Sequence, residues 1–311
     1  MQTVIALGFF DGVHLGHGDL LARAAAVAAE RGWRSAALSF DRSPGKDGRL
    51  LTTVEDRIRL IRGLYGVEDV IVLPFSAEFM RMDWQSFLES LVREHAAAHF
   101  VCGWDYRFGW QGAGDAEALR GWCAARGPGC DVIAPRVIDG VTVSSTHLKT
   151  LIEAGDVETA ARFYGHPHTM TGTVRTGRGL GHRLGFPTAN LLPPPELVLP
   201  RDGVYAVRAS VHQDDPATHT LRRCAGVCNV GTRPTVGGHR RTVETWLDGF
   251  DGDLYGQTLT LDFYRFLRPE RSFPDLEALR EQVARDKAEA LAYFTETQVR
   301  RSAVPVSTDE R

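Results

Sequence analysis

The chain has 311 residues, 43% of them hydrophobic, with 36 basic residues against 39 acidic ones. That length suits two ordinary domains, each with its own core. The near balance of charge, with no basic block long enough to follow a phosphate backbone, argues against nucleic acid as a partner. The N-terminus has no positively charged leader and its apolar run is broken at Asp11, while no later run approaches a bilayer span. A cytoplasmic protein without membrane attachment is expected. The five cysteines, Cys102, Cys123, Cys130, Cys224 and Cys228, are odd in number and scattered, which reads as free thiols in a reducing compartment. Cys224 and Cys228 lack a second pair at zinc spacing. Nothing in the sequence reports oligomeric state.

In chain order, apolar β-type runs at 4–7, 35–40, 69–73, 99–103 and 131–134 alternate with helical patterns at about 17–31, 54–64, 83–97 and 115–126. That alternation predicts a doubly wound parallel sheet with helices on both faces. Gly32 stops the first helix, Thr53 with Asp56 resembles a capping box before the second, and Asp83 is placed to cap the third. Ligands on such sheets bind beyond the carboxyl ends of the strands. The loop after the first strand, GFFDGVHLGH from Gly8 to His17, occupies that position. Its glycines, Gly8, Gly12 and Gly16, permit tight turns and close approach, and the N–H groups of the helix start suit phosphate. His14 and His17, three residues apart, can face one side and donate to phosphate oxygens. Taken alone, the segment is equally well a glycine-rich loop with two solvated histidines.

Two further segments reach the same edge. Gly103 to Gly109 (GWDYRFG) places Asp105, Arg107 and aromatic rings in a loop after a strand. Ser144, Ser145, Thr146 and Lys149 follow a hairpin turn at Asp139-Gly140, where the hydroxyls make a natural helix N-cap. After a polar helix at 156–164 the texture changes. From Thr169 short runs alternate, with Tyr205, Val207, Ala209 and Val211 on one face and Leu259, Leu261 and Phe263 on another. One late helix, 275 to about 295, follows. The expectation is a small antiparallel β-barrel with a C-terminal helix, giving domains at 1–165 and 166–296 and a polar tail at 297–311.

Within the second half, Gly177 to Leu191 reads GRGLGHRLGFPTANL. Gly177, Gly179, Gly181 and Gly185 allow backbone to approach phosphate, and Pro187 stiffens the turn. Thr188 and Asn190 are hard oxygen ligands of the kind Mg²⁺ prefers. A barrel loop with two turn-forming polar residues is the plainer reading of this stretch by itself.

The ordered series of motifs resembles the bifunctional riboflavin kinase/FAD synthetases of bacteria over residues 3 to about 294. GFFDGVHLGH is similar to the family's G-x-F-D-G-x-H-x-G-H, GWDYRFG followed by Gly114-Asp115 to G-x-D-F-R-F-G…G-D, and Gly185 to Asn190 to G-F-P-T-A-N without change. The resemblance implies a nucleotidyltransferase domain followed by a riboflavin kinase domain. It implies riboflavin, FMN and ATP as partners, with Mg²⁺. Riboflavin would be phosphorylated to FMN in the C-terminal half and FMN adenylylated to FAD in the N-terminal half. Glu244 takes the position of the family's catalytic glutamate. His14, His17 and Lys149 would stabilise phosphates, with Gly8, Phe10, Asp11, Gly12, Gly16, Asp105, Arg107, Ser144, Ser145 and Thr146 in the nucleotide site. Lys149 stands where arginine is usual, exchanging a planar fork for a point charge. Ser39 to Pro44 departs from S/T-F-x-P-H-P, Trp246 replaces a histidine, and Asp248-Gly249 replace an apolar-Asp pair. An alternative is a riboflavin kinase alone, its N-terminal half reduced to a nucleotide- or flavin-binding module.

Overall fold

Every residue of the first strand, β1 (Thr3–Leu7), is buried, as expected of a strand covered on both sides. Val4 and Ala6 enter one core and Ile5 and Leu7 the other, following the two-residue period of a strand. The computed structural model describes residues 1–44, 48–176, 188–212, 221–235, 238–250 and 252–302. The chain forms two compact units, Met1–Thr150 with Arg162–His166 and Glu196–Val198, and Leu151–Ala161 with Pro167–Pro195 and Leu199–Arg311.

In the first unit β1 lies between β2 (Arg34–Phe40) and β4 (Ala97–Gly103), with β3 (Asp69–Leu73) and β5 (Gly129–Ile133) outside them, in the order β3-β2-β1-β4-β5 and all parallel. Helices α1 (Leu15–Arg31) and α2 (Val54–Tyr65) supply Leu21, Ala24, Leu60 and Ile61 to one core. A short helix α3 (Ala77–Met80) precedes α4 (Trp84–His95), which with α5 (Ala116–Arg126) supplies Phe87, Leu91, Leu119 and Trp122 to the other. The order reverses between β1 and β4, so a crevice opens beyond their carboxyl ends.

The expected caps are present: Thr53 Oγ1 accepts from the Asp56 N–H at 3.1 Å, Asp83 accepts from Gln85 and Ser86, and Gly32 ends α1 at φ 65°. Helix α1 begins at Leu15, earlier than the position near His17 that the pattern predicts, because His14 is its N-cap. β4 and β5 each start two residues before their apolar runs. The hairpin β6 (Val137–Ile138) and β7 (Val141–Thr142) turns through Asp139 and Gly140 at φ 50° and 77°, the pair of positive values a type I′ turn needs. Helices α6 (Ser145–Ala154) and α7 (Val157–Tyr164) follow.

In the second unit six strands close a barrel: β8 (His168–Arg175), β9 (Thr188–Leu191), β10 (Gly203–His212), β11 (Leu221–Thr235), β12 (Gly238–Leu247) and β13 (Thr258–Arg268), in the order β10-β11-β12-β9-β8-β13. All ladders are antiparallel. Tyr205, Val207, Ala209 and Val211 are fully buried, as are Leu259, Leu261 and Phe263, in agreement with the alternation. Ala206, on the outer face of β10, packs with Ala290 and Phe294 of helix α8 (Leu276–Ser302). This helix runs to Ser302, past position 297 where the polar tail was expected to begin, and residues 303–311 lie outside the described set.

The glycine loop after β1 is held by a buried carboxylate. Asp11 accepts from the Leu51 N–H (2.8 Å) and from the N–H and hydroxyl of Thr52 (3.0 and 3.2 Å), while the Gly12 N–H donates to Thr52 Oγ1. Below it the guanidinium of Arg57, 1% exposed, donates through Nη1 to Ser39 Oγ and to the carbonyls of Phe9 and Phe40, and lies 4.3 Å from the Phe9 ring centre. Asp11→Ala strands these buried donors and should cost about 2–4 kcal/mol, with Asp11→Asn milder because an amide oxygen still accepts. Five of the six tryptophans lie between Trp33 and Trp122, so tryptophan emission during urea unfolding reads this loss.

Candidate active sites

The crevice of the first unit contains a cavity of about 290 Å³ lined by Gly8, Phe9, His14, Gly16 and His17 from the β1 loop, Trp104 and Asp105 after β4, Arg136, and Ser144 and Ser145 at the start of α6. Its floor is strained backbone. Phe10 and Val13 adopt φ 58° and 44° and Gly12 φ 80°, values costly for side chains with a Cβ and concentrated at functional sites. A Cβ on Gly12 would come within 2.8 Å of the Tyr164 ring. Glycine is therefore required there by packing against the protein.

His14 Nδ1 accepts from the His17 N–H at 3.2 Å, and the two rings stack 3.6 Å apart at 12°. An Nδ1 that accepts fixes the proton of neutral His14 on Nε2. Burial lowers the His14 pKa to about 4 and also depresses that of His17, aided there by His14 and the nearby Arg57. A helix N-terminus disfavours a cation in the same sense. Near neutrality both histidines are therefore uncharged hydrogen-bond donors and carry no ammonium-like charge.

Several predicted site residues stand elsewhere. Phe10, Asp11 and Gly12 are buried and do not line the cavity; Asp11 serves the Leu51-Thr52 turn. Ser145 Oγ donates to the Asp11 carbonyl at 2.9 Å, Ser144 Oγ accepts from the His147 N–H, and Thr146 is exposed. Lys149 donates to the Arg49 carbonyl at 2.6 Å and is also outside the lining. Arg107 pairs with Asp115 at 3.3 Å. A second cavity, about 550 Å³, opens next to the first, walled by Phe40, Phe75, Phe79, Phe87 and Phe108, with Asp105 and Arg107 at its edge. Phe9, Asp105 and Tyr106 border both cavities. The divergent segment after Ser39 contributes Phe40 and Pro44 to this wall, and Asp41 accepts from the Phe75 N–H at 2.8 Å.

In the second unit, strand alternation builds the site. Val243, Thr245 and Leu247 of β12 point into the barrel, while Glu244 and Trp246 point outward. Glu244 pairs with Asn190 on β9 and with Asn229 on β11, so three polar side chains form one row across three strands. The next row is Thr188, Trp246 and Val227. Over these rows lies a cavity of about 530 Å³, closed on the other side by Arg268 to Phe273 and by Leu279, Val283 and Asp286 of α8. Arg268 grips Asp286 with two nitrogens (2.7 and 2.9 Å), and Asn229 donates to Glu270 at 2.8 Å. A further cavity, about 340 Å³, is lined by Val174, Phe250, Asp253, Leu254 and Tyr255. Thr188 borders both. Gly177, Gly179, Gly181, Gly185 and Pro187 lie outside the described residues. Among the described residues no cluster of three or more His, Cys, Asp or Glu side chains fits a metal. Asn190 turns its amide nitrogen to the Thr188 carbonyl at 3.4 Å, which leaves its oxygen to accept. A few neutral oxygens of this kind suit a hard cation that takes its remaining ligands from phosphate.

Comparison with known proteins assigns the two units. The family model for FAD synthetase matches residues 1–147 and that for riboflavin kinase matches residues 164–294. The bifunctional riboflavin kinase/FMN adenylyltransferase of Bacillus subtilis is 32% identical over 94% of this chain and 93% of its own length. The chain belongs to the bifunctional riboflavin kinase/FMN adenylyltransferase family. The Pseudomonas fluorescens member is 34% identical over 93% of this chain and 92% of its own, and the Escherichia coli K12 member 32% identical over 94% and 92%. The crystal structure of a macrolide-efflux protein from Streptococcus pneumoniae has a TM-score of 0.79 at 26% identity, covering 92% of this chain and 93% of that one. This family member is an enzyme with both a riboflavin kinase domain and an FAD synthetase domain, and both catalytic halves are present, which disfavours the kinase-only alternative. Among the described residues no helix is long and apolar enough to cross a membrane.

Reasoning from the sequence misses Arg136, Trp104 and Phe9 as cavity residues and Arg57 beneath them. Arg136 had a usable signal, since it follows the carboxyl end of β5. Arg57 had none, because an arginine inside a polar helix looks like any solvated one.

Because the folded His14 pKa lies below the ordinary 6.5, its contribution to stability is complete above about pH 6.5 and is lost as pH falls toward 4, where the unfolded chain takes up the proton first. Unfolding free energy should fall by up to about 1.4 kcal/mol per pH unit through that window. His14→Gln should flatten the slope in urea titrations at pH 7, 6 and 5.

Proposed function

We propose that Glu244 is the base for the ribityl 5′-hydroxyl of riboflavin, and that Thr188 and Asn190 would hold Mg²⁺. The observation that carries the reading is the place of Thr188, which borders both the 530 and the 340 Å³ cavities and lies in the row next to that of Glu244, two residues before Asn190 on β9. Riboflavin then occupies the 530 Å³ cavity and the nucleotide the 340 Å³ one. Bound Mg²⁺ supplies neutralisation of charge on the transferring phosphoryl group. Glu244 takes the hydroxyl proton as the oxygen attacks, and the ladder that sets it level with Asn190 and Asn229 fixes its height on the barrel. The segment from Arg268 to Phe273 excludes water from the acceptor. Gly177, Gly179, Gly181, Gly185 and Pro187, outside the described residues, are assigned to ATP by their sequence motif alone.

In the first unit FMN places its ring in the aromatic 550 Å³ cavity and its phosphate toward the 290 Å³ cavity that takes ATP. The FMN phosphate oxygen attacks the α-phosphorus, the bond to the β-phosphate oxygen breaks, and pyrophosphate leaves. His14 and His17 donate from neutral rings to the oxygens that gain charge, with the N–H groups of α1, Ser144, Ser145 and Arg136 around them. Asp105 and Arg107 stand where the two cavities meet. Lys149 acts at longer range, through its hold on the Arg49 carbonyl. Gly8 and Gly16 keep the loop open to phosphate, while Phe10, Asp11 and Gly12 hold its shape. The partners are riboflavin, FMN and ATP, in the cytoplasm.

The two activities should separate by mutation. With riboflavin, ATP and Mg²⁺, Glu244→Gln should lower FMN formation by about 10²–10⁴-fold yet still convert supplied FMN to FAD. His14→Ala with His17→Ala should do the reverse. Loss of both activities in either folded variant, FMN formation from riboflavin and FAD formation from supplied FMN, would refute the assignment of separate sites.

A further inference from the structure

The indole of Trp246 shares a strand face with Glu244, two residues further along β12, and lines the 530 Å³ cavity. Two residues of strand span about 7 Å, comparable to the length of a ribityl chain. A flavin whose terminal hydroxyl meets Glu244 therefore has its ring system within reach of this indole. Val204, Val227, Phe273, Leu279 and Val283 make the apolar part of the surrounding wall, with Arg268, Glu270, Arg271 and Asp286 at its polar side. Trp246 is the residue there with an extended electron-rich face, and it is held firmly: the Lys287 ammonium of α8 sits 3.9 Å from its ring centre. A cation at that distance takes up one face of the indole and pins the side chain between helix and barrel. Lys287 is itself partly desolvated, with a pKa lowered to about 8 by burial and supported by Asp248.

We infer that Trp246, clamped by Lys287, is the specificity-determining wall of the riboflavin slot, stacking on the isoalloxazine ring and setting flavin affinity. The inference rests on the assignment of this cavity to riboflavin. An indole is a good π-donor and an isoalloxazine a good acceptor, and offset stacking of such rings adds to the burial of their area. Because the contact lies away from the reacting oxygen, it holds ground state and transition state alike, so its loss appears in KM more than in kcat. Lys287 is a positioning residue that acts through the indole.

The test uses the full chain. Trp246→Ala should raise the riboflavin KM by about tenfold, equivalent to about 1.4 kcal/mol, with kcat within threefold and the ATP KM unchanged. Trp246→Phe should recover most of the affinity. Lys287→Met should raise the riboflavin KM two- to fivefold while Lys287→Arg stays near wild type. Riboflavin titrated into the protein without ATP should show quenched flavin fluorescence and a long-wavelength charge-transfer shoulder, both weakened in Trp246→Ala. A riboflavin KM and flavin spectrum unchanged in folded Trp246→Ala, or a rise confined to the ATP KM, would overturn the inference. Should the wild type show no kinase turnover, the assignment of the cavity fails, whereas the titration still tests the indole: equal quenching in wild type and Trp246→Ala rejects it.

Discussion

The adenylylating half depends on a buried carboxylate that lies outside the lining of its two cavities. Asp11 ties the turn after β1 to Leu51 and Thr52, and Arg57 ties the preceding carbonyl of Phe9 to Ser39 and Phe40. Between them they hold two strained positions three residues apart, Phe10 and Val13, that the chain would otherwise relax. The consequence is directional. With the backbone forced outward after Gly12, His14 becomes the cap of α1, accepting from the His17 N–H, and its ring stacks on that of His17 at the edge of the crevice.

The kinase half solves the same problem with a ladder. Register alone aligns Asn190, Glu244 and Asn229 in a row, because the pleat turns every second residue of a strand outward and the neighbouring strands fix its height. A barrel has no edge to fray, so the row is rigid before any ligand arrives, and pre-organisation of that kind lowers the cost of reaching the transition state.

Each unit also has two neighbouring cavities, joined at residues that border both. Phe9, Asp105 and Tyr106 do so in the first unit and Thr188 in the second. Group transfer between a flavin and a nucleotide needs this arrangement. The two molecules must be recognised apart, by stacking and by phosphate contacts, yet meet at one oxygen and one phosphorus.

What the sequence by itself determined was everything that depends on near neighbours in the chain. The two periodicities located the sheet and the barrel, the caps at Thr53 and Asp83 and the turn at Asp139-Gly140 fell where their residue types require, and the motif order pointed to the family. Contacts across the chain were decided only by the folded structure. Asp11 resembled a ligand of nucleotide in the motif and proved to be committed to Leu51 and Thr52, some forty residues away. Arg136 and Trp104 came to the 290 Å³ cavity through loops after β5 and β4. The neutrality of His14 and His17 followed from burial, which no local pattern encodes. The clamp on Trp246 required α8 to cross the barrel face and set Lys287 over the ring. Local chemistry is written along the chain, but solvent exclusion and the partner across a ladder exist only once distant segments have packed.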